Sequence, residues 1–219
     1  MTRERPEPIF NAPWPALLAV AAILVPYVLL INASEATILS LALIPKAFWH
    51  GQWTGVVTMM FVHGGWPHAL MNAAFALAFG APVARLLGSG ARGGASFCVF
   101  YLTCGVLSGV GYAALHPGSE GAVIGASGAV SGLMGGAARA MGGQGRVGPM
   151  FGPQVLSLGL GWLIVNLVMA VAGGLLTFGA GAVAWEAHLI GFATGVLLIG
   201  VFARGSGADG AATETIDPH

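Results

Sequence analysis

The eight lysines and arginines of this chain each stand near the end of a long apolar run or beyond it. Runs of about 20 apolar residues are what a helix needs to cross the ~30 Å hydrocarbon layer of a bilayer. In hydrocarbon every backbone N–H and C=O must find its partner within the chain, so such runs are read as membrane helices. Charged residues make up only 7% of the sequence and hydrophobic ones 56%. A soluble domain carries about 25% charged residues, and this chain has too few to coat a surface facing water. It is expected to be an all-α integral membrane protein. The net charge is zero, which gives no sign of nucleic acid as a partner.

Six spans are predicted, near 13–32, 67–87, 94–115, 127–141, 154–173 and 183–203. Pro26 is a candidate kink in the first. Segment 36–50, ATILSLALIPKAFWH, is apolar but broken by Pro45, so it is read as interfacial or re-entrant within a long, partly helical first loop. This divides the chain into a polar tail over 1–12, a six-span domain over 13–203 and a polar tail over 204–219. The basic residues set the orientation. With six alternating spans, Arg3, Arg5, Arg85, Arg92, Arg139, Arg146 and Arg204 share one side, and Lys46 alone falls on the other. Both termini are therefore expected in the cytoplasm. No organelle presequence is visible in the first residues, which suggests a bacterial inner (cell) membrane.

Span four is short. Fifteen residues at 1.5 Å each cover about 22 Å, so its outer end is expected below the membrane surface. Ser127 stands there, in Gly125-Ala126-Ser127-Gly128. A helix N-terminus offers free backbone N–H groups and a positive dipole end, which suit an oxyanion. A serine there can equally serve as an N-cap. His188 lies near the start of span six, which enters from the same side. An imidazole at that depth is either a hydrogen-bonded structural group or a base for a nucleophile. Gly128 and Gly132 on span four, with Ala187, Gly191 and Gly195 on span six, form small-residue pairs that let two helix backbones approach. That favours a Ser127–His188 dyad. No third member is evident, because Glu186 is two residues from His188 and lies on another helix face. His68 and Asn72 are four apart and share one face of span two. With the Ser127 backbone N–H they could hold an oxyanion. A metal site built from His63, His68 and His188 is disfavoured, because no carboxylate or cysteine completes it. Cys98 and Cys104 sit about 240° apart around one helix and cannot bridge each other. No cofactor is implied, and no oligomeric state follows.

Three motifs together resemble the rhomboid family of intramembrane serine proteases. FVHGGWPHALMN carries His63, His68 and Asn72 at His-x4-His-x3-Asn spacing; GASG carries Ser127; EAHLIGFATG carries His188, Gly191 and Gly195. The resemblance runs from span one to span six. It implies a six-transmembrane-helix bundle opening extracytoplasmically, with Ser127 as nucleophile and His188 as general base. It implies an oxyanion hole of His68, Asn72 and the Ser127 N–H, with His63 structural or positioning water. The implied partners are the lipid bilayer and single-span membrane protein substrates. Their lateral entry would pass span five and a glycine-rich cap near 174–182.

Two departures stand out. The Trp-Arg pair many members carry in the first loop is replaced by Thr54 and Gly55, and the aromatic four residues after the nucleophile is replaced by Ser131. The rival readings are a proteolytically inactive relative that binds transmembrane helices, and a membrane serine hydrolase acting on lipid acyl groups.

Overall fold

The computed structural model describes residues 12–88, 90–176 and 184–205, with the side chains of 172–176 left aside. The expected cap near 174–182 falls mostly outside these residues, as do the two polar tails.

Nine α-helices occur among the described residues: α1 Trp14–Leu30, α2 Glu35–Leu41, α3 Pro45–Trp49, α4 Gly55–Thr58, α5 Trp66–Leu87, α6 Ala91–Leu115, α7 Ser127–Gly142, α8 Pro153–Leu176 and α9 Trp185–Gly205. Four of them, α5, α6, α8 and α9, contain a stretch long and apolar enough to cross a membrane. The 17 residues of α1 and the 16 of α7 are shorter, about 26 and 24 Å at helical rise. The expected spans match these six helices, and the broken segment after the first is the short-helix loop α2–α4. Pro26 lies inside α1.

The centre of the bundle is α7. Every residue from Gly128 to Ala138 is buried, and α5, α6, α8 and α9 all pack against it. Lipid tails are as apolar as leucine, so membrane helices gain little from burying leucine against leucine; close backbone approach drives their packing instead. Here α7 and α9 touch through their glycines. A Cβ on Gly191 would overlap the Gly128 carbonyl, and one on Gly195 would overlap the Gly132 carbonyl. At the C-terminal end of α7 Arg139 closes the contact. Its Nε donates to the Gly148 carbonyl and its Nη1 to the Val196 carbonyl, each at 2.8 Å. The outward faces are apolar, with Leu29, Leu160, Val168, Val171 and Val201 all exposed, as a lipid-facing surface requires.

The first loop is pinned without the Trp-Arg pair. Leu43 and Val123 form an isolated antiparallel bridge, with N···O distances of 3.0 and 2.8 Å. Thr58 Oγ1 donates to the Leu41 carbonyl at 2.7 Å, and Gly55 packs so closely on Ala42 that a Cβ would overlap its carbonyl. Lys46 and Glu120 add an exposed ion pair at 2.6 Å. These contacts tie the loop to the strand-like segment that leads into α7, and so fix where Ser127 begins its helix.

Candidate active site

Ser127 is the first residue of α7, after Ala126 at the N-cap. The turn before it depends on Gly125, whose φ of +118° lies in the region open mainly to glycine. A Cβ there would also strike the ring of His68, at 2.7 Å from its Nε2. The Gly125 N–H donates to the Met59 carbonyl at 2.9 Å, and the Ala126 N–H to His63 Nε2 at 3.4 Å. The first N–H of α7 to find a helical partner belongs to Val130, which bonds the Ala126 carbonyl at 3.0 Å. The N–H groups of Ser127 and the next two residues thus precede the helical ladder. Ser127 is not the N-cap, a position that Ala126 holds. The Ser127 Oγ lies 2.7 Å from Nε2 of His188. The glycine contacts between α7 and α9 bring these two side chains, 61 residues apart in sequence, within hydrogen-bond reach.

His68 and Asn72 occupy the first turns of α5, which starts at a glycine with Pro67 in its first turn. The Gly64 N–H donates to His68 Nδ1 at 3.3 Å. A neutral imidazole that accepts at one nitrogen carries its proton on the other. His68 Nε2, on the side of Gly125 and Ser127, is therefore the donor. Asn72 is buried, and its Nδ2 donates to the His68 carbonyl at 2.9 Å. His63 lies just before α5, is buried, and packs edge-on against His68 with ring centroids 5.1 Å apart. Burial, and secondly the neighbouring His68, push the His63 imidazole down to about 4. It stays neutral and can accept the Ala126 N–H. A cavity of about 250 Å³, lined by Tyr27, Ile38, His63 and Ile124 among others, opens beside it.

Two residues at the site carried no signal in the motifs. Asn166 on α8 is 2% exposed, and its Oδ1 lies 2.6 Å from Nδ1 of His188. Trp162, one turn earlier, tilts over the same imidazole at 34°, with centroids 5.8 Å apart. Ser131 does not hold His188; its Oγ donates back to the Ser127 carbonyl at 2.7 Å. The aromatic support expected from position 131 is thus supplied by another helix. Glu186 turns away and meets His116 at 3.2 Å.

The fold and site define a multi-helix membrane protein with a Ser–His pair at the N-terminus of its most buried helix. A family model described as Rhomboid domain matches residues 50–205. The chain belongs to the rhomboid family, whose members are mostly intramembrane serine proteases and include inactive homologues. A search of curated proteins found no match.

Proposed function

We propose that this chain is an intramembrane serine endopeptidase that cleaves single-span membrane proteins in or near their transmembrane segment. The observation that carries this reading is the 2.7 Å approach of Ser127 Oγ to His188 Nε2 at a helix start with free N–H groups. Ser127 is the nucleophile and His188 the general base. The shortness of α7 supports a site recessed below the outer surface and reached by water from the extracytoplasmic side.

An unwound substrate segment presents a peptide carbonyl to Ser127. As Oγ bonds to the carbonyl carbon, its proton passes to His188 Nε2. The oxyanion that forms is held by the Ser127 N–H, by His68 Nε2–H and by the second amide hydrogen of Asn72, the first being engaged by the His68 carbonyl. Collapse breaks the C–N bond, and the leaving amine takes the proton from His188. Water then attacks the acyl-serine by the same route, with His188 as base, and releases the new carboxyl terminus and Ser127. No cofactor takes part.

The test uses purified protein in liposomes with a fluorophosphonate probe and a transmembrane reporter. Labelling at Ser127, loss of labelling in His188→Ala, and a reporter product mapped to a peptide bond are expected. An unlabelled Ser127 with no cleavage supports a helix-binding relative instead, and ester products without peptide cleavage support a lipid hydrolase.

A further inference from the structure

His188 must be neutral at Nε2 to act as a base, and a neutral imidazole can carry its one proton on either nitrogen. In water a histidine side chain favours the proton on Nε2. That tautomer would donate toward Ser127 and could not take its proton. Something must hold the proton on Nδ1.

Asn166 meets this need, and its own orientation is fixed by its helix. The residue is almost fully buried in the α8 span, where an unpaired amide is costly. Its Nδ2 lies 2.8 Å from the Trp162 carbonyl. A carbonyl oxygen only accepts, so the amide must turn its NH2 to Trp162 and its oxygen to His188. That oxygen also only accepts, so His188 Nδ1, 2.6 Å away, must donate. With Nδ1 protonated, Nε2 has its lone pair free and must accept from Ser127 Oγ. Every bond in the chain then has one allowed direction.

Resting on the assignment of Ser127 and His188 above, we propose that Asn166 is a positioning residue that fixes the tautomer and ring orientation of His188. The unit is a one-way relay from Ser127 through His188 and Asn166 to the Trp162 carbonyl, built on α7, α9 and α8. The amide carries no charge. When His188 accepts the serine proton, the positive ring is met by the amide dipole on one side and the new oxyanion on the other. Trp162 adds a flat wall that limits rotation of the ring.

The test compares wild type, Asn166→Leu and Asn166→Asp in lipid nanodiscs with 15N-labelled histidine, reading the His188 ring nitrogens by NMR beside kcat and KM on a transmembrane reporter. Wild type is expected to show the proton on Nδ1. Asn166→Leu, similar in size, should lose that signature. Its kcat should fall by about 10²-fold or more with KM within about twofold, since leaving a catalytic histidine in the wrong tautomer costs about 10⁴ in a serine protease. Asn166→Asp, which still accepts at Nδ1, should keep the signature and recover most of the kcat. If the leucine variant does not fold, Asn166→Ala carries the same expectations. An unchanged tautomer and unchanged kcat in the leucine or alanine variant overturns the proposal, as does an aspartate variant that loses both. The tautomer readout does not depend on peptide cleavage. A wild type that cuts no peptide yet loses the Nδ1 proton on Asn166→Leu would overturn the protease reading and leave this assignment standing.

Discussion

At the scale of single residues, the site is a set of groups that each have one protonation state in which they work. His68 accepts from Gly64 and so donates from Nε2. Removing one oxyanion donor costs about 10²–10³ in kcat where a single donor has been deleted. Asn72→Ala is therefore expected to lower kcat by about 10²-fold and leave measurable turnover, because His68 and the Ser127 N–H remain; a stopped reporter assay checks this. His63 must stay neutral to accept from Ala126. Its folded-state value, pushed down to about 4 by burial and secondly by His68, lies below the usual 6.5. The unfolded chain therefore takes up the proton first as pH falls. The contribution of His63 to stability is complete above about 6.5 and is lost as pH drops from there toward 4. Thermal melting between pH 7.5 and 4.5 should show a fall in Tm that is shallower in His63→Gln, which has nothing to titrate at that position.

At the scale of elements, the decisive contact is α7 against α9. Gly191→Val places a branched side chain onto the Gly128 carbonyl. Overpacking of this kind costs about 1–3 kcal/mol, and separating the helices also parts Ser127 from His188. Both Tm and turnover should fall. Gly161→Ala, where a Cβ meets nothing within 4 Å, should leave both nearly unchanged. This contact was readable from the sequence, because small residues four apart on two apolar helices have a direct physical meaning. So were the six helices and their ends to within a few residues, because hydrocarbon thickness sets their length. The contact of α8 with α9 was not readable. Asn166 stands alone in an apolar span, and no spacing rule relates it to His188. Its only signal was that a polar side chain inside a membrane span tends to be functional. The support of His188 was hidden for the same reason: the missing aromatic at 131 is replaced by Trp162 from a helix whose register no motif reveals.

At the scale of the whole molecule, the basic residues imply an orientation that places Ser127 toward the outside. Impermeant maleimide added to intact cells should label Lys46→Cys and spare Arg146→Cys; the reverse pattern would invert the topology. On the proposed reading, a substrate helix must unwind to bring a peptide bond to Ser127. Glycine costs a helix about 1 kcal/mol and proline about 3 kcal/mol relative to alanine. Substrate helices with Gly or Pro near the outer face should be cut faster than poly-Leu helices in a competition assay.

The central claim is that Ser127, activated by His188, breaks peptide bonds inside the membrane. The direct measurement is reconstitution of wild type, Ser127→Ala and His188→Ala in liposomes with one transmembrane substrate, with products mapped by mass spectrometry. A single peptide-bond cut near the outer end of the substrate helix, present in wild type and abolished in both variants, is the predicted result. Undiminished cleavage by Ser127→Ala would contradict it.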